Sequence, residues 1–398
     1  MPEKAAETSP LVSPDYEGGS LLNLMASIVE ARGDRGPHRP LRFLPPSVFG
    51  RPMNLVYLVV DGLGVRQLER ALEARRVPHF FGRMPWRRLT TVWPATTAAA
   101  VTTLSTGASP AEHAILGWHL LLAELGMEVT ILLGVTRTES PMVLRDFNLR
   151  GYLRVPDHLG RVRQTRTLLS YKRIAHSRYS MAVGSWTRRG GYSTLRGMRR
   201  RIVAECRRAG RKLIYAYWPV YDTLCHKYGT SHTKTLHHLS HVDRELAYLV
   251  DNLTDTDTVL VVTADHGLAD NLPGQAVDLS RIPGFMECLT LLPAGDARQV
   301  ACFVRPGRVR RFREILRGEL GDRCRVLDAE EILSGGYLGP GGPHPALASR
   351  VADYVLLPHE GICFYVPVPG MKTEIHKADH GGMTATEMLV PLYIVECG

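Results

Sequence analysis

The chain has 398 residues, a net charge of +10 and seven cysteines. Hydrophobic residues at 44% and charged residues at 22% are ordinary for a globular chain and exclude a disordered or collagen-like one. No apolar run reaches the roughly 18 residues a membrane span needs, and an odd cysteine count without C-x-x-C spacing excludes a disulfide scaffold and a Cys₄ zinc site.

Residues 1–18, rich in Pro, Ser and Glu and without periodicity, are predicted to be a disordered N-terminal segment. They lack the basic and apolar regions of a signal peptide, so cytoplasmic residence is the expectation. Leu21–Val29 has the spacing of a short amphipathic helix, and GDRGPHRPLRFLPP that of a loop. Leu55–Val60 is apolar and β-branched throughout, the pattern of a buried parallel strand, and it delivers Asp61 into a glycine-flanked turn. Next, TTVWPATTAAAVTTLSTG turns from a Pro-interrupted stretch into small residues suited to start a helix, placing Thr97 at its N-terminus and Gly107 at its C-cap.

Met127–Leu133 is a further candidate strand. The strand Leu213–Tyr217 leads into YDTLCHKYG, where Asp222 and His226 stand four apart and share one face of a helix. Ser240–Asn252 is helical in spacing and returns the chain to the strand Thr258–Val262, a βαβ crossover that ends on Asp265 and His266. After Leu268 the pattern changes: Val300–Val304, an Arg-rich helix over Arg308–Leu320 and Arg325–Leu327 predict a small α/β insert at about 296–345. GGYLGPGGPHP reads as an exposed loop, and HKADHGGM carries His380 in another glycine-rich turn, with His376 four residues earlier as its competitor.

In open α/β sheets ligands bind beyond the carboxyl ends of the strands. Several strand ends here supply Asp and His, which is what a metal crevice needs. Mixed imidazole and carboxylate ligands suit zinc, with Mn²⁺ or Fe as alternatives. Thr97 is the candidate nucleophile, since a helix N-terminus favours a phosphate and a nearby metal lowers the pKa of a hydroxyl.

In this order VVDG with Asp61, P-x-x-T with Thr97, D-x-x-x-H with Asp222 and His226, D-H-G with Asp265 and His266, and HGG with His380 resemble the alkaline phosphatase superfamily, in particular the compact bacterial members of its type I phosphodiesterase and nucleotide pyrophosphatase branch. The resemblance spans roughly residues 50–395. It implies an α/β/α sandwich with a mostly parallel central sheet and one catalytic domain over residues 19–398. It further implies two Zn²⁺, one held by Asp222, His226 and His380, the other by Asp61, Asp265 and His266, with Thr97 bridging as a covalent nucleophile. The implied activity is hydrolysis of phosphodiester or pyrophosphate bonds in small phosphate-ester or nucleotide-like substrates. The alternatives are a phosphomonoesterase, a phosphonate hydrolase or a sulfatase. Ala98 follows Thr97 where the eukaryotic enzymes carry an aromatic residue that holds the base, a departure that weakens the inference to nucleotides.

Between Arg150 and Lys212 stand eighteen Lys and Arg against Asp157 and Glu205. This excess is either a solvated face or a field that attracts an anionic substrate. Without aromatic interleaving or a recognised fold motif, a nucleic-acid partner is not expected. Lys227 beside His226 is a candidate substrate contact. Cys225 reads as packing, His237, His238 and His241 as surface histidines, and Asp243 and Glu245 as helix-face charges.

Overall fold

The computed structural model describes residues 11–138 and 148–398. At its centre lies the strand Asn54–Val60, buried at every position, which is why its sequence is continuously apolar instead of alternating. It pairs in parallel with Lys212–Trp218 on one side and Thr258–Thr263 on the other. Thr165–Tyr171 and Arg188–Tyr192 extend the sheet in parallel beyond Lys212–Trp218. Beyond Thr258–Thr263 the strand Leu389–Cys397 runs antiparallel and carries Trp86–Thr90 at the far edge, completing seven strands.

Helices cover this mostly parallel sheet, as the α/β/α expectation requires. Leu21–Arg32 packs on Thr97–Thr106, and Leu195–Cys206 on Thr233–Leu253. The last of these is the predicted crossover helix. Its Asp243 is not a surface charge: it is fully buried and accepts backbone N–H bonds from His79, Phe80 and Phe81 at 2.8 Å, tying a loop to the helix. A helical periodicity shows only which face is apolar, so a carboxylate used as a loop anchor passes for a solvated one.

The predicted insert differs from the expectation of one segment at about 296–345. A second seven-stranded sheet combines Ala294–Asp296, Gln299–Cys302, Cys324–Asp328 and Tyr354–Pro358 with His119–Leu122, Met127–Thr130 and Val135–Thr136, which come from much earlier in the chain. Gly295 pairing with His119 is the seam between the two excursions. The Met127 strand is therefore real, but it lies outside the main sheet.

Residues 11–18 also depart from the expected disordered segment. Leu11 bridges Thr384, Val12 N–H bonds the Met383 carbonyl at 2.8 Å, and the Tyr16 hydroxyl donates to the Tyr337 carbonyl at 2.9 Å. Residues 1–10 lie outside the described residues. All seven cysteines are free and buried, and no helix among the described residues is long and apolar enough to cross a membrane.

Candidate metal centre and active site

The three central parallel strands end on one rim. Asp61 follows Val60 directly, Asp265 and His266 come after Thr263 with Ala264 between, and Asp222 sits in the helix Val220–Tyr228 that starts after Trp218 and Pro219. Two glycines make these turns possible. Gly62 has φ +76, and a Cβ there would meet Leu268 at 2.5 Å. At Gly267 a Cβ would lie 2.0 Å from the Thr386 carbonyl oxygen, so only glycine lets the turn after His266 pack on the segment that follows His380.

Thr97 opens the helix Thr97–Thr106, with Thr96 as the N-cap residue and Gly107 in the left-handed region at the C-cap. Its Oγ1 lies 3.0 Å from His266 Nε2, and its side chain lines a cleft of ≈ 700 Å³ between the rim and the second sheet. Thr96 is fully buried and does not line that cleft, which separates the two neighbouring hydroxyls.

Around Thr97 the ligand atoms of Asp61, Asp265 and His266 lie within 4.8 Å of one another, the trio expected to hold one metal. His266 Nε2 stands 3.5 Å from Asp61 Oδ1 and 3.8 Å from Asp265 Oδ2. The second expected trio is less regular. Asp222 groups with His266 and His380, while His226, 3.3 Å from Asp222 through its Nε2, also groups with His376 and Asp379. The reason lies on the other edge of the His226 ring, where Nδ1 faces the Ala378 carbonyl at 2.8 Å and Asp379 at 3.5 Å. A ring that donates from Nδ1 keeps Nε2 as the lone-pair nitrogen, here turned toward Asp222.

Four buried atoms at this point, Asp61 Oδ1, Asp222 Oδ1, Asp265 Oδ2 and His380 Nδ1, have no hydrogen-bond partner among the described residues. Buried polar atoms are nearly always paired, so a cluster of orphans of this chemical type fits a cation. The electrostatics agree. Burial, then repulsion from Asp265 and Asp222, pushes Asp61 well above the usual carboxylate range despite the hydroxyl of Tyr217 that donates to it. Burial also pushes Asp222 up, but the imidazoles of His226, His266 and His376 together outweigh it and the carboxyl ends lowered. His380 is held well below the usual histidine range by burial and by the neighbouring His266, His226 and His376 rings.

Lys227 lines the cleft, and so do His119 and Asp296 from the second sheet. Desolvation raises the Asp296 carboxyl to about 6, although the Trp118 N–H donates to it at 3.1 Å. Cys225 is a buried thiol pushed well up by burial. His232 caps the helix Thr233–Leu253, and His238 stacks on Trp218 and accepts its indole N–H at 2.9 Å, so neither belongs to the rim. The Arg-rich segment contributes no residue to the cleft lining. Its arginines are engaged in part elsewhere, Arg199 with Glu245 at 2.8 Å and Arg163 with Asp34 at 3.0 Å.

Asp379 was not foreseen. It accepts from Asn271 Nδ2 at 2.6 Å and faces His376 Nδ1 at 2.8 Å as well as His226. A signal for it exists in the sequence: Ala-Asp-His-Gly occurs at 264–267 and again at 378–381. The two copies meet in space, with the rings of His266 and His380 3.8 Å apart.

The profile of the type I phosphodiesterase / nucleotide pyrophosphatase family matches residues 55–130 and 151–383. No curated protein matches. Among solved structures, murine ectonucleotide pyrophosphatase / phosphodiesterase 5 is similar at 16% identity and a TM-score of 0.65, over 85% of this chain and 87% of that one. The human form gives 14% identity and 0.66 over the same shares. Phosphonoacetate hydrolase from Sinorhizobium meliloti 1021 in complex with phosphonoformate gives 17% and 0.64, over 86% and 90%.

Proposed function

For a chain that belongs to the type I phosphodiesterase / nucleotide pyrophosphatase family of the alkaline phosphatase superfamily, and is thus a hydrolase, we propose hydrolysis of phosphodiester or pyrophosphate bonds through a covalent Thr97 intermediate at a two-zinc centre. The observation that carries this reading is the convergence of the four orphaned buried ligand atoms on the rim where Thr97 Oγ1 lies 3.0 Å from His266. Asp61, Asp265 and His266 would hold one ion, and Asp222, His226 and His380 the other. Bound zinc would supply Lewis acidity to the phosphoryl oxygens and lower the pKa of the attacking hydroxyl.

The rest falls to the protein's own groups. The Thr97 helix directs its first N–H groups and the positive end of its dipole at the phosphoryl group, where charge accumulates in the transition state. Attack by Thr97 Oγ1 forms the phosphoryl-threonine bond as the leaving oxygen departs. Water then cleaves that bond, and two in-line displacements retain configuration at phosphorus overall. Lys227, at the mouth of the cleft, offers a cation to the substrate's non-bridging oxygens. Because phosphonoacetate hydrolase shares the fold, a phosphonate is the second reading.

The test is a comparison of bis-p-nitrophenyl phosphate, p-nitrophenyl phosphate, p-nitrophenyl sulfate and phosphonoacetate as substrates of the zinc-loaded protein. Preference for the diester supports the proposal. Turnover of phosphonoacetate alone would shift it to the second reading, and turnover of none of the four would refute both.

A further inference from the structure

Away from the rim, three residues far apart in sequence bring metal-binding atoms together. His38 lies in the loop after the first helix, Glu112 in the short helix Pro110–His113, and His158 just before the turn Leu159–Arg161. Their ligand atoms all lie within 4.8 Å of one another. His38 Nε2 is 2.8 Å from one oxygen of Glu112, and His158 Nε2 is 3.1 Å from the other. The side chains are 3%, 7% and 15% exposed for His38, Glu112 and His158, so His158 is the most open of the three.

The surroundings press close. A Cβ on Gly341 would come within 2.5 Å of Glu112 Cδ, and His158 Cβ packs against Gly107 at the end of the Thr97 helix. That helix has 10 residues, about 15 Å of length, so the cluster stands that far from Thr97 and contacts no substrate there.

We propose that His38, Glu112 and His158 form a structural site for one divalent ion of the zinc class, separate from the catalytic rim. Two imidazoles, a carboxylate and a water are a zinc donor set otherwise met at catalytic centres, and it is the separation from Thr97 that gives the ion a structural role here. Glu112 Oε2 also accepts the Ser109 N–H at 2.8 Å in a capping box, so the carboxylate is held in place by the backbone, and among the described ion pairs its facing side chains are both histidines. With metal–ligand bonds of about 2.0–2.1 Å, the edges of a tetrahedral site are about 3.3 Å, and the two His–Glu112 edges, 2.8 and 3.1 Å, stand within about half an ångström of that length. On binding, each Nε2 presents its lone pair and the ring proton resides on Nδ1. The ion would staple the loop at 38, the segment at 158 and the end of the Thr97 helix together.

The experiment counts ions in the 398-residue chain, stripped of metal, reloaded with Zn²⁺ and desalted. His38→Gln/His158→Gln should bind one ion fewer than wild type, keep wild-type hydrolysis of bis-p-nitrophenyl phosphate, and lose part of the rise in thermal midpoint that Zn²⁺ gives. Equal stoichiometry in the two proteins would overturn the proposal and leave the cluster as a hydrogen-bonded clamp. Should the double variant not fold, His158→Asn, at the most exposed position, is titrated with Co²⁺: loss of one set of visible bands is expected, and an unchanged titration overturns the site. Because the count is a difference, it stands or falls apart from the catalytic proposal.

Discussion

Arg298 offers the most quantitative test of how the rim is held. Its guanidinium and the carboxylate of Glu387 are both 0% exposed and form two parallel bonds, Nε to Oε1 at 2.8 Å and Nη2 to Oε2 at 3.0 Å. Arg298 also donates to the Ile362 carbonyl at 2.6 Å, and Glu387 accepts the Gly382 N–H at 2.9 Å. The pair therefore links the second sheet to the turn that carries His380. Arg298→Met leaves a buried carboxylate without its cation, which destabilises by about 3–5 kcal/mol. With an unfolding entropy of about 2.1 cal/mol/K per residue, a chain of 398 residues loses about 0.84 kcal/mol per degree, so the thermal midpoint should fall by about 4–6 °C. Circular dichroism of the metal-free protein measures the fall, and a zinc titration should show weaker binding, because the His380 turn loses its anchor. Arg298→Met/Glu387→Met should recover only part of the loss, since removing the Glu387 carboxylate takes the acceptor from the Gly382 N–H. A midpoint within about 1 °C of wild type for Arg298→Met would refute the reasoning.

Thr97→Ala should lower kcat by roughly 10⁴-fold or more with the circular dichroism spectrum unchanged, while Thr96→Ala, buried behind it, should retain most turnover; a reversed order in a diester assay would move the nucleophile by one residue. Prolonged chelation should abolish activity and restoration of Zn²⁺ recover it, with metal analysis following both; full activity in metal-free protein would rule out the two-ion centre. Lys227→Met should reduce kcat/KM about tenfold, most of it in KM, the loss of one charge-assisted contact, whereas an unchanged value would show that the lysine points only to solvent. Arg200→Glu/Arg207→Glu should change kcat/KM by no more than about twofold at physiological salt, since charges away from the cleft are screened over about 8 Å; a larger, salt-sensitive loss would restore the steering role.

The sequence by itself determined the three central strands of the main sheet and the Asp and His residues that follow them. A parallel strand buried on both faces must be apolar throughout, so Leu55–Val60, Leu213–Tyr217 and Thr258–Val262 were visible as runs, and Asp61, Asp222, Asp265 and His266 followed as the polar residues beyond each. His226 was legible through its four-residue spacing from Asp222 on a helix, and Thr97 through the small residues that start one. Only the tertiary structure decided the rest. The second sheet joins His119–Leu122 to Ala294–Asp296 across a long stretch of chain, and antiparallel pairing between short strands leaves no local period that names the partner. The same holds for Asp243 beneath residues 79–81, Asp379 behind His226, and Arg298 against Glu387. In each, a charged residue's role is set by what the fold brings opposite it, and contacts between residues distant in the chain are not encoded in the spacing of either one.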